Sequence, residues 1–212
     1  MGLLDFWKRL VKHRNETENE ISFQNPSEAL PTESLEECVA VNEPKQTPVE
    51  RGYVRATCLE MDGMVFNELN QGYIAFDVET TGLSACSDRI VELGAVRFIN
   101  GVAEEAFSTL VNPGIPIPPC ATAINHITND MLATAPSEKE AYTQLLAFLG
   151  DAIHAKTILC AHNAQFDIDF LSEALIRLGF HANIRYVDTL RLSRKYIKGL
   201  PNYKQITVAD CL

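Results

Sequence analysis

Asp77 and Glu79 stand two residues apart in Tyr73-Ile-Ala-Phe-Asp77-Val-Glu79-Thr-Thr-Gly82, after an apolar run and before a turn. In a β-strand, residues i and i+2 point to the same face, so both carboxylates emerge together at the strand's C-terminal end. A like-charged pair taken out of water is costly unless something positive compensates it. A hard divalent cation is the economical partner, and Mg²⁺ or Mn²⁺ suits an all-oxygen ligand set.

A third carboxylate belongs to a second segment, Leu159-Cys-Ala-His162-Asn163-Ala-Gln-Phe166-Asp167. Thr157 to Ala161 reads as an apolar strand, with a turn at His162-Asn163. Phe166, Phe170, Leu171, Ala174, Leu175 and Leu178 then repeat at helical spacing, which predicts a helix from about 165 to 178. Asp167 falls in its first turn, where the helix dipole favours a negative charge. The same position also suits a carboxylate with no ligand at all. His162 reads either as a base or, more simply, as a hydrogen-bonding turn residue.

The rest of the chain supplies the frame. Strands are predicted at 73–78, 89–98 and 104–111, with a turn at Asn100-Gly101. Four prolines between 113 and 119 predict an extended loop. Helices are predicted near 120–125, 128–133 and 138–151, then the strand at 157–161 and the helix just described. A short strand near 184–187 and helices near 189–197 and 204–212 complete the pattern. Three strands followed by alternating helix and strand make an α/β domain with a mixed sheet. Residues 51–71 are ambiguous: Val54, Ala56 and Cys58 alternate as in a strand, and Met61-Asp-Gly-Met64 suggests a turn.

Together, Asp77-Val-Glu79-Thr-Thr-Gly82, Ile90-Val-Glu-Leu-Gly-Ala-Val-Arg-Phe98 and His162-Asn-Ala-Gln-Phe-Asp167 resemble the DEDD exonucleases. More narrowly, they are similar to the proofreading type of bacterial DNA polymerase III. The resemblance runs from about Gly72 to Leu212 and takes in Val111-Asn-Pro-Gly114 and Val187-Asp188-Thr189-Leu190. It implies a ribonuclease-H-like fold, a mixed β-sheet flanked by helices, and a metal-dependent 3′–5′ exonuclease acting on nucleic-acid 3′ ends, with DNA favoured over RNA. By the same resemblance Asp77, Glu79 and Asp167 bind two Mg²⁺ or Mn²⁺ ions.

Thr80, Thr81, Gly82 and Leu83 then meet the terminal nucleotide, although a strand-ending turn explains the first three equally well. Asn125, His126, Thr128, His162, Asn163 and Phe166 are further substrate-binding candidates. Ile124-Asn-His126-Ile-Thr128 departs from the family's Ile-His-Gly-Ile-Thr, which puts the nucleotide contact there in question. The family's third motif, His-x-Ala-x-x-Asp, has no match up to Leu212. An exonuclease domain short of its last catalytic element is therefore expected. The alternative is a truncated, impaired nucleic-acid-binding or scaffold module. Asp188 is expected to order the turn into Thr189 rather than bind metal.

Charge divides the chain further. The net charge of −10 opposes unspecific nucleic-acid binding. Residues 15–50 hold nine Glu against Lys45 alone, with four prolines, and read as an acidic disordered linker. Residues 1–14 read as an amphipathic helix with a Leu3, Leu4, Trp7, Leu10 and Val11 stripe. That stripe suits folding back on the domain or docking into a partner such as a DNA polymerase; a membrane surface is the third option. The organisation expected is thus 1–14, 15–50, an uncertain lead-in at 51–71, and an exonuclease domain at 72–212.

From Arg185 to Lys204, six basic residues oppose only Asp188, a stretch that suits a phosphate backbone or a solvated helix face. Six scattered cysteines without a C-x-x-C pair fit reduced thiols in the cytoplasm. No apolar run reaches membrane-spanning length.

Overall fold

The computed structural model describes residues 52–212. The expected helix at 1–14 and linker at 15–50 lie outside the described residues. The elements run β1 (Tyr53–Cys58), α1 (Gly63–Gln71), β2 (Gly72–Thr80), β3 (Ile90–Ile99), β4 (Val102–Leu110), α2 (Pro119–Asn125), α3 (Asn129–Ala133), α4 (Glu138–Leu149), β5 (His154–Ala161), α5 (Ala164–Arg177), β6 (His181–Asp188), α6 (Thr189–Tyr196) and α7 (Gln205–Ala209). One mixed sheet carries the order β1-β6-β5-β2-β3-β4. The β2–β3–β4 part is antiparallel, and β5 and β6 extend it in parallel from β2.

The hairpin between β3 and β4 turns at Asn100 and Gly101, both with positive φ, the conformation that Asn-Gly accepts most easily. On one face of the sheet, Ile74, Phe76 and Val78 of β2 pack with Tyr142 and Leu145 of α4 and with Ile168 and Leu171 of α5. A capping box fixes the start of α4, where Ser137 and Glu140 satisfy each other's backbone amides. Val91, Ala121, Ile127 and Leu132 form a second cluster under α2 and α3.

The ambiguous lead-in resolves into an added strand and helix. β1 lies parallel to β6 from Tyr53 to Cys58. The turn expected at Met61–Met64 is instead a helix start, because the Asp62 carboxylate accepts the Val65 amide at 2.8 Å. Val65 and Leu69 then pack on Ile158 and Val187. Glu68 holds Arg185 of β6 through two hydrogen bonds of 2.7 and 3.1 Å. That bond keeps the Glu68 carboxyl below its ordinary range. Among the described residues, no helix is long and apolar enough to cross a membrane.

Tyr142 is fully buried, and its hydroxyl has no hydrogen-bond partner among the described residues. An unpaired buried hydroxyl costs about 1–3 kcal/mol. Tyr142→Phe is therefore expected to stabilise the domain by about 1 kcal/mol in urea unfolding. A loss of stability would show that the hydroxyl is bonded in solution.

Candidate active site

β2 pairs with β5 only from Tyr73 to Ala75. Beyond that point the two strands part, and the C-terminal end of β2 is open on its β5 side. Helix α5 begins in this gap. Asp167, 3% exposed, accepts the Val78 amide at 3.1 Å, the backbone donor between Asp77 and Glu79. Its carboxyl also hydrogen-bonds the carboxyl of Asp77. Two acids 90 positions apart in sequence thus meet at the strand end.

The electrostatics follow from that geometry. Burial pushes Asp77 up to about 7, and the nearby Glu79 adds to the rise. Burial and the charge of Asp77 together hold the Asp167 carboxyl well above the ordinary range. Burial also raises Glu79. Burial and the close approach of two like charges thus favour a proton held between Asp77 and Asp167. None of the three forms an ion pair with a described basic side chain. Glu92 lies opposite Glu79 in the β2–β3 register and so stands on the same face.

Among the described residues, no three His, Cys, Asp or Glu side chains form a complete metal-binding group. The carboxylates nonetheless have the chemistry that suits a divalent cation: hard oxygen donors, two of them in contact, with no ion pair to a described basic side chain.

The loop after β2 is built around a residue that the sequence did not single out. Asp88 accepts the Ser84 amide at 2.9 Å and lies 3.3 Å from the Thr81 hydroxyl. Thr81 is buried and its hydroxyl accepts the Arg89 amide. The Thr80 hydroxyl donates to the Gly82 carbonyl at 2.6 Å. A Cβ on Gly82 would meet the Asp88 carboxyl at 2.5 Å. Gly82→Ala is thus expected to destabilise the domain by about 1–3 kcal/mol. Adding Asp88→Ala should recover part of that loss in a double-mutant cycle, whereas simple additivity would show that the close approach is harmless. The loop leaves Leu83 88% exposed.

The other substrate candidates divide by what their polar atoms already do. Asn125 is 5% exposed; its amide donates to the Thr80 carbonyl at 3.3 Å and accepts the Ile127 amide at 3.1 Å. It braces the β2 end from within. His126 takes a left-handed conformation at the end of α2 and is exposed. Thr128 caps α3 by accepting the Met131 amide.

His162 takes the simpler of its two expected roles, a hydrogen-bonding turn residue, and not that of a substrate contact. Its Nε2–H donates to the Tyr203 carbonyl at 2.8 Å, and Nδ1 lies 3.1 Å from the Thr189 hydroxyl. Both ring nitrogens are engaged inside the protein, so neither is open to a ligand. Asn163 is exposed, with φ of 65°, and its amide donates to Asp188. Phe166 is half-buried against Phe170. Asp188 accepts the amides of Asn163, Leu190 and Arg191 through one oxygen, the capping role expected from the sequence.

The sequence profile of the exonuclease family RNase_T matches residues 74–209. The chain belongs to this exonuclease family. The exonuclease domain is 39% identical over 138 residues to a PolC-type DNA polymerase III of Caldanaerobacter subterraneus subsp. tengcongensis, covering 65% of this chain and 10% of that protein. It is 44% identical over 124 residues to a DNA polymerase III subunit epsilon-like protein of Rhodobacter capsulatus, covering 57% of this chain and 17% of the other. The chain thus spans between a tenth and a fifth of the length of these relatives.

Among solved structures, exonuclease X in complex with 5′ overhanging duplex DNA superposes with a TM-score of 0.51 at 28% identity, over 66% of this chain and 72% of that one. Exonuclease I in its complex with SSB-Ct superposes with a TM-score of 0.57 at 18% identity, over 66% of this chain and 36% of that one, a likeness of fold. The six-stranded mixed sheet is accordingly of the ribonuclease-H-like exonuclease type.

Proposed function

We propose that the chain is a metal-dependent 3′–5′ exonuclease domain of the proofreading type, acting on the 3′ ends of single-stranded DNA and releasing nucleoside monophosphates. The observation that carries the reading is the Asp77–Asp167 pair at the open end of β2, beside Glu79 and without a cationic partner among the described residues. Family membership supports the reading, as do the DNA polymerase III names of its relatives. A role beside a DNA polymerase, in the cytoplasm, is part of the same proposal.

Asp77, Glu79 and Asp167 would hold Mg²⁺ or Mn²⁺, two ions in the full arrangement. Bound there, such ions polarise phosphoryl oxygens and lower the pKa of water. The protein's own groups do the rest. The bond from the Val78 amide keeps the Asp167 carboxyl beside Asp77, and the pair would release its proton in favour of a bound cation. Thr80 to Leu83 form a loop beside the acids, locked by Asp88. There the exposed Leu83 offers an apolar surface to the terminal base, and the Thr81 hydroxyl serves the loop rather than the nucleotide.

The test is digestion of single-stranded DNA labelled at either end, with Mg²⁺ or Mn²⁺ and with chelator. Metal-dependent release of mononucleotides from the 3′-labelled end is expected. Release from the 5′ end, or none above an Asp77→Ala control, would sink the reading. Faster digestion of an RNA strand in the same assay would transfer it to RNA.

A further inference from the structure

Residues 189–209 contain five basic and no acidic side chains, in a chain whose net charge is −10. The structure sorts the basic residues of this region into two groups. Arg185 is taken up by Glu68, and Arg191 by Glu60 at 2.8 Å and the Cys58 sulfur at 3.3 Å. Arg194, Lys195, Lys198 and Lys204 are exposed and form no ion pair with any described residue. Arg194 and Lys195 follow the buried Ser193 in the last turn of α6, and both side chains are exposed. The Lys198 ammonium folds back to the Arg194 carbonyl at 2.9 Å, and the Lys195 ammonium lies 5.0 Å from the Tyr196 ring centre.

This basic tract is fastened to the strand end that leads into the site. Thr189 at its start donates to the Ala161 carbonyl and contacts His162 Nδ1. Tyr203, next to Lys204, is held by His162 Nε2, and its hydroxyl closes the intervening loop on the Ile197 carbonyl. One imidazole therefore clamps both ends of the tract, five residues before Asp167. A helix of eight residues is about 12 Å long, so Arg194 and Lys195 stay within roughly that distance of the clamp.

We propose that Arg194, Lys195, Lys198 and Lys204 form a track for the backbone phosphates of the single strand whose 3′ end enters the Asp77–Asp167 site. The proposal rests on the exonuclease reading for the direction of the strand. Phosphate contacts carry no sequence information, as an enzyme shortening any strand requires. They also offset the repulsion between a polyanion and an acidic protein.

Fluorescence anisotropy of a labelled 16-nucleotide oligothymidylate tests the track. The full chain is titrated in chelator across a series of salt concentrations. Each phosphate contact contributes about −0.7 to the slope of log K against log salt for a single strand. Arg194→Ala/Lys195→Ala should lower the magnitude of the slope by about 1.4 and weaken binding at 50 mM salt by about 10-fold. Lys198→Ala/Lys204→Ala, outside the helix, should do the same. Lys139→Ala/Lys156→Ala, which removes equal charge elsewhere, should change neither.

Equal losses in all three pairs would overturn the proposal, because net charge alone would then explain binding. So would a wild-type chain that does not bind, or polyglutamate that competes as well as the oligonucleotide. Selective loss in the two track pairs, with no strand hydrolysed under any metal, would uphold the track and discard the exonuclease reading.

Discussion

Asp77→Asn, and separately Asp167→Asn, should lower metal-dependent mononucleotide release by about 10³-fold, the kinetic equivalent of roughly 4 kcal/mol of lost transition-state stabilisation. The two carboxyls hydrogen-bond each other, Asp77 raising the proton affinity of Asp167 and Asp167 in turn stabilising the ionised Asp77, so they act as a unit. The double variant should consequently be little worse than either single one. Single-turnover digestion of a 3′-labelled strand measures this directly. Independent, multiplicative losses would show that the two acids serve separate steps. Asp169, also on α5, is exposed and bonded to Gln165 at 2.7 Å, and Asp169→Asn should leave the rate within about twofold.

The second large effect is on stability, and its sign is opposite to that of an ordinary salt-bridged acid. Burial raises Asp77 from 3.8 to about 7 in the folded chain. Between those values the folded state binds more protons than the unfolded state. Stability therefore falls as pH rises through that window. A shift of this size corresponds to about 2–4 kcal/mol.

Asn mimics the protonated acid. In chelator, Asp77→Asn should match the wild type near pH 4 and exceed it by about 2–4 kcal/mol at pH 8. Saturating Mn²⁺ should restore the wild type at pH 8 and leave the variant unmoved. Urea unfolding at the two pH values, with and without Mn²⁺, makes the comparison. A stability difference independent of pH would mean that Asp77 is ionised at no cost in the free domain.

Local pattern made much of this molecule legible. The alternation of Phe76 and Val78 with Asp77 and Glu79 placed both acids on one side of β2, and the two apolar residues do enter the core. The Asn100-Gly101 turn, the start of α4 at 138 and the helical stripe of α5 each lie within a few residues of sequence, and each forms within one residue or so of its expected place. The helix at 63–71 was not visible. Its cap is a single Asp62, and its packing depends on Ile158 and Val187, which only the folded sheet brings beneath it.

By itself, then, the sequence determined the acids, the strand and helix that carry them, and the exonuclease family, because these depend on side-chain periodicity and contiguous motifs. The tertiary structure decided how the acids meet. The parting of β2 from β5 after Ala75 frees the Val78 amide for Asp167, and no local pattern encodes where two strands separate. It also decided that Asp88 locks the Thr80–Leu83 loop and that His162 is a clamp with both nitrogens engaged. Hydrogen-bond partners that lie 7, 27 or 41 residues apart are selected by the packed fold, which alone brings their polar atoms within reach and out of water.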